Sequence, residues 1–221
     1  VLVRGTFLAV LATVLTVSLS TAAEPPQQSK PTSVLWVGNS FTYYNGGIPD
    51  AVQRLVAELS PSLVTGKAPR FVMSAIGGAH LVDHASQSRA RIGHAKLPWD
   101  LVMLQGYSDE PVNPAKSASF QFYGKVLAKV AHRTGAKVAL FMIWAYNDRP
   151  EMTKTLASAY QAMAAEINAQ VVPVGLAFAQ ARAARPSLAL YVDKDTKHPS
   201  PAGTYLAACT FFAALYGISP E

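Results

Sequence analysis

Short apolar runs alternate along this chain with longer stretches whose apolar positions recur three and four residues apart. The first run, Val34-Leu35-Trp36-Val37, reads as a buried strand that Gly38 breaks just before Asn39 and Ser40. Phe41 to Gly47 then reads as a loop wall with two tyrosines. Ile48, Val52, Leu55, Val56 and Leu59 share one helical face, and Pro61 stops that helix. Residues 70–76 predict a second strand ended by Gly77-Gly78-Ala79-His80, and a weakly helical stretch runs on to Lys96. Residues 100–104 predict a third strand, followed by Gln105-Gly106-Tyr107-Ser108-Asp109. Phe120, Tyr123, Leu127 and Val130 define a helix closed by Gly135, which suits a left-handed cap. A fourth strand is expected over 138–144, then a helix carried by Met152, Leu156, Tyr160, Met163 and Ile167. Residues 171–174 form a short last strand, where Pro173 points to an edge position. A short helix around 176–182 and a loop holding Asp195 and His198 follow. The final helix has Ser200 as N-cap and Pro201 at its first position, and stops at Gly217.

Strands that alternate with helices predict an α/β fold: a three-layer α/β/α sandwich around a mostly parallel, five-stranded sheet. Ligands of such sheets gather beyond the carboxyl ends of the strands. Ser40, Gly78, Gln105 and residues 144–147 all fall just past predicted strand ends. A serine hydroxyl becomes a nucleophile only when a base takes its proton. Asp195-Thr196-Lys197-His198 supplies a base and an orienting group: three residues from His198, Asp195 can hold one imidazole nitrogen while the other faces Ser40. Asp193 is a rival orienter.

Composition adds boundaries. At 221 residues and 50% hydrophobic, the chain holds one domain with a sizeable core. The formal charge of +6 comes from scattered Lys and Arg rather than a clustered face, which argues against nucleic acid as a partner. With one cysteine, Cys209, an intramolecular disulfide is excluded, and no Cys/His spacing suggests a structural zinc site. His80 and His84 stand four apart, a metal-compatible spacing, but lack a third ligand nearby. No metal or other cofactor is expected.

Arg4, an apolar run over 7–19 and Ser20-Thr21-Ala22-Ala23 match a secretory signal peptide over residues 1–23. Residues 24–32 read as a flexible lead-in and 33–221 as the folded domain. The expected location is secreted or periplasmic in a bacterium, with no membrane span after signal cleavage.

These residues resemble the SGNH (GDSL-type) hydrolases. Gly38-Asn39-Ser40 looks like the first motif of that family and Asp195-Thr196-Lys197-His198 like its Asp-x-x-His motif. Gly38-Asn39-Ser40-Phe41-Thr42 with a Leu-Gln third block looks like one branch of it. The resemblance spans about residues 33–216 and implies a flavodoxin-like sheet and a Ser40, His198, Asp195 triad. It further implies an oxyanion hole built from the N–H groups of Ser40 and Gly78. The family's third block carries an asparagine that this chain lacks. Gln105 is expected to make that donation, with Ser108 as the strict motif alternative. Asn39, Tyr107, Trp144 and Tyr146 are candidates for lining the substrate groove. The implied activity is hydrolysis of acyl esters, carbohydrate O-acetyl esters among them, on small-molecule or glycan substrates. O-acyl transfer to a glycan, or a non-catalytic binding protein on the same fold, are the alternatives.

Overall fold

The computed structural model describes residues 30–63, 69–94, 96 and 98–220. The signal segment over 1–23 and most of the lead-in lie outside the described residues. Five parallel strands form one sheet: β1 (Ser33–Gly38), β2 (Arg70–Ala75), β3 (Leu101–Leu104), β4 (Lys137–Phe141) and β5 (Gln170–Val172). Their order is β2-β1-β3-β4-β5, the flavodoxin-like arrangement expected from the alternating pattern. The helices are α1 (Ser40–Tyr43), α2 (Ile48–Leu59), α3 (Leu81–Gln87), α4 (Arg89–Ile92), α5 (Ser117–Arg133), α6 (Met152–Ile167), α7 (Val174–Ala184) and α8 (Pro201–Tyr216). Helices α2, α8 and α7 pack in one row, and α3, α5 and α6 in another.

Strand pattern and burial agree. Every residue of β3 is buried, as its unbroken Leu-Val-Met-Leu requires between two neighbours and two helical layers. Strand β2 lies at the edge and none of its residues is fully buried. β5 is the other edge, and Pro173 directly follows it, where no ladder donor is lost. Helix α8 buries Phe211 and Phe212, and Phe211 meets Trp36 of β1 edge-on at 4.7 Å. Gly203 lets that helix approach the chain before it, since a Cβ there would sit 2.2 Å from the Leu190 carbonyl oxygen.

Two local readings change. β4 ends at Phe141, three residues earlier than expected, because Met142 already bonds to the chain leaving β5. The stretch after Ser40 is not a plain loop but one turn of α1 followed by a 3-10 turn over Tyr44–Gly46. Four residues are too few for hydrophobic periodicity to register.

The connections leave β1 and β3 toward opposite edges of the sheet. A crevice therefore opens above the carboxyl ends of these two neighbours, the place where such folds bind ligands. Ser40 stands at its β1 side.

Candidate active site

Ser40 is the first residue of α1. Asn39 caps that turn, its Oδ1 accepting the Phe41 N–H at 3.2 Å. Opposite it, the 191–199 loop is closed by a bridge between Tyr191 and Pro199, and Ser200 caps α8 by accepting the Gly203 N–H. The loop also docks on the chain after β4: Trp144 Nε1 donates to the Lys197 carbonyl at 2.8 Å and the Asn147 N–H to the Thr196 carbonyl at 2.7 Å.

These anchors bring three distant side chains together. His198 Nε2 lies 2.9 Å from Ser40 Oγ, and His198 Nδ1 lies 2.6 Å from Asp195 Oδ2. Asp195 Oδ1 accepts the backbone N–H groups of Lys197 and His198 at 2.8 and 3.1 Å. Burial alone would raise the Asp195 carboxyl. The His198 imidazole and those two N–H groups outweigh it and hold the group below its ordinary range. Asp193, the rival orienter, is exposed on the same loop.

Two contacts that the sequence did not reveal support His198 and the residues after it. The Tyr44 ring stacks on the imidazole, with centroids 4.6 Å apart. Asn45, in the left-handed region at φ 53°, donates its amide to the Pro199 carbonyl at 2.9 Å and to Thr204 Oγ1 at 2.8 Å. Its only trace in the sequence is an Asn before two glycines, a turn signal that does not say what the side chain reaches.

The N–H groups of Ser40 and Gly78 make no hydrogen bond within the described residues. Gly78 follows β2 in the left-handed region at φ 69° and is exposed. The parallel register pairs Gly38 with Ala75, so the two chains leave the sheet side by side.

Gln105 does not take the expected place. It is fully buried beneath the Ser40 turn, and both amide hydrogens are used, by Asn39 Oδ1 at 2.8 Å and the Gly106 carbonyl at 2.6 Å. Its Oε1 accepts the Asn39 N–H at 2.9 Å and the Thr42 hydroxyl at 2.8 Å. A flipped amide would set donor against donor, so the orientation is fixed by its partners. Gln105 therefore braces the Ser40 turn and has no amide hydrogen left to donate. Ser108, the alternative, is buried with its hydroxyl 2.7 Å from that of Tyr146.

Most of the expected groove residues are corrected as well. Asn39 is buried, and its Nδ2 donates to the Ala79 carbonyl at 3.0 Å, tying the turn after β1 to the turn after β2. Trp144 is buried with one face stacked on Phe178 at 4.4 Å. Tyr146 is 2% exposed, with Arg149 and Lys197 lying over its ring. Of the four, only Tyr107 stays partly exposed.

The two histidines each have other partners. His84 is buried, with Nε2 2.9 Å from the Gly38 carbonyl and Nδ1 2.8 Å from Ser88 Oγ. A carbonyl only accepts, so Nε2 carries the hydrogen, and burial pushes the imidazole below its ordinary value. His80 stacks on Tyr107 at 4.5 Å and faces the buried Glu110, whose carboxyl burial raises. Glu110 Oε2 also accepts the Tyr107 N–H at 2.9 Å, holding the turn after β3. Among the described residues no three potential metal ligands gather, and no helix is long and apolar enough to cross a membrane.

No protein-family model and no curated protein matches the chain. Solved structures do. A Slackia heliotrinireducens protein assigned to the SGNH hydrolases aligns at a TM-score of 0.64 and 24% identity, covering 82% of this chain and 97% of its own. The acetyl xylan esterase AlAXEase aligns at 0.66 and 15% identity, over 82% and 98% of the two chains. An acetyl xylan esterase from Geobacillus stearothermophilus aligns at 0.61 and 20% identity, over 83% and 94%. The sheet order, the helical layers and these alignments give the chain the SGNH-hydrolase fold.

Proposed function

We propose that this protein is a serine esterase that hydrolyses acyl esters through an acyl-enzyme intermediate and works outside the cytoplasm. The observation that carries the reading is the continuous line of hydrogen bonds from Ser40 through His198 to Asp195. His198 takes the Ser40 proton as Oγ attacks the ester carbonyl, and Asp195 holds the imidazole and the positive charge it acquires. Negative charge gathers on the carbonyl oxygen, where the free N–H groups of Ser40 and Gly78 can donate to it. His198 then gives its proton to the departing alcohol. Water, deprotonated in turn by His198, releases the acid. The acetyl xylan esterases among the structural neighbours favour O-acetyl esters of carbohydrates as substrates. The charged start and short apolar run over residues 4–19 support export.

Hydrolysis of p-nitrophenyl acetate by the wild type beside Ser40→Ala tests the reading. A rate abolished by the substitution is expected. Equal rates in the two proteins would overturn it.

A further inference from the structure

His198 must protonate the departing alcohol, so on the esterase reading the alcohol half of the substrate lies against the 191–199 loop. The surface there is cationic. Lys197, next to His198, places its Nζ 4.9 Å from the centroid of the Tyr146 ring. Arg149 places its Cζ 4.6 Å from the same ring. Beyond them, Lys116 Nζ sits 5.0 Å from the centroid of Tyr107, whose ring stacks on His80 beside the Gly78 turn. Lys197 and Arg149 thus form a cationic patch beside the His198 loop.

Lys116 is neutralised, but Lys197 and Arg149 are not. Asp109 pairs with Lys116 at 2.8 Å, Asp195 is engaged by His198, and Glu110 is buried facing His80. Asp148, Glu151 and Asp193 are exposed nearby in the chain, yet neither Arg149 nor Lys197 has a carboxylate partner among the described residues. Two aromatic faces on this side are covered. Tyr146 lies beneath two cations, and Trp144 is stacked on Phe178. Ring faces hold a cation in place without cancelling its charge. An alcohol bearing a carboxylate would find two unpaired cations there.

We propose that the alcohol half of the substrate carries a carboxylate, as in an O-acetylated uronic acid, and that Lys197 and Arg149 bind it. This rests on the esterase reading for the direction in which the alcohol lies.

The test uses tri-O-acetylated methyl glucuronoside with its carboxylate free and the same compound as its methyl ester. In wild type, kcat/KM for acetate release is expected to favour the acid by roughly five- to tenfold at low salt. The preference falls toward one at about 1 M salt, where the screening length is about 3 Å. Lys197→Gln with Arg149→Gln removes the preference, and Lys197→Arg with Arg149→Lys restores it. Because the preference is a ratio within each variant, a general loss of activity cancels. Calorimetric titration of both compounds into Ser40→Ala reads the same preference without turnover. Equal or weaker binding of the acid there, or a wild-type ratio of one or below, overturns the proposal. Loss of Ser40-dependent p-nitrophenyl acetate hydrolysis instead overturns the esterase reading, and the binding titration still decides this one.

Discussion

The ring of Tyr44 lies flat against the imidazole of His198, with centroids 4.6 Å apart and planes 17° apart. Tyr44 lies four positions after Ser40, so the Ser40 segment also fixes the plane of the His198 ring. The imidazolium formed during attack would face the tyrosine π system, an interaction of about 0.5–1 kcal/mol at a partly exposed site. Tyr44→Ala is expected to lower kcat by about threefold to fivefold with little change in KM. Tyr44→Phe keeps the ring and should keep the rate. Steady-state kinetics on p-nitrophenyl acetate check this; a Phe variant as impaired as the Ala variant would discard the stacking role.

Asn45 joins the same two segments through its amide. Asn45→Ala removes both donations and leaves alanine at φ 53°, an expected loss of about 2–4 kcal/mol. Asn45→Gly relieves the backbone and isolates the hydrogen bonds, so it should be less damaging by about 1 kcal/mol. Urea denaturation of the three proteins gives both numbers. An Ala variant as stable as wild type would mean that the amide fixes nothing.

Gln105 and Gly38 form one unit under Ser40. A Cβ on Gly38 would sit 2.5 Å from both Gln105 Oε1 and Thr42 Oγ1, so Gly38→Ala must push the amide out of its bonds. Gln105→Ala removes it altogether and strands the Asn39 N–H. Each is expected to cost about 2–4 kcal/mol of stability and to depress kcat more than KM. Wild-type melting temperature and activity in Gly38→Ala would contradict this arrangement.

His84 makes stability depend on pH with a definite sign. Burial lowers its folded value below 6.5, so the unfolded chain binds the proton more readily. Its contribution is complete above about pH 6.5 and is lost as the pH falls from there toward the folded value. Thermal melts between pH 8 and 5 should show wild type losing stability on acidification, with a shallower loss in His84→Gln. Parallel pH profiles for the two proteins would exclude His84 as the source.

Asp195→Asn is expected to reduce kcat by three to four orders of magnitude while leaving the fold intact, as roughly seen for the orienting carboxylate in serine triads. An amide presents a donor or a weaker acceptor to His198 Nδ1 and favours the wrong tautomer for a base at Nε2. Stopped assays at several pH values, with a circular dichroism spectrum of the variant, separate this from misfolding. A kcat within tenfold of wild type would remove Asp195 from the mechanism.

The sheet, its parallel sense and its covering helices were readable in the chain, because burial on both faces demands unbroken apolar strands and crossovers demand amphipathic helices. Ser40, Asp195 and His198 were readable for a different reason: each stands in a short motif whose residue types suit one chemistry, with the last two only three positions apart. What the tertiary structure alone decided were the amides and rings around them. Gln105 could donate to an oxyanion or bury itself beneath Ser40, and the choice depends on Asn39, Thr42 and Gly38, which a linear reading does not place at its amide. Trp144 and Tyr146 could bare their faces or bury them, and Phe178 and Lys197 from distant segments, with Arg149 of the same turn, settle that. Tyr44 reaches His198 and Asn45 reaches Pro199 across more than 150 residues of chain. Side-chain hydrogen bonds and ring contacts are made between neighbours in space, and only packing says who the neighbours are.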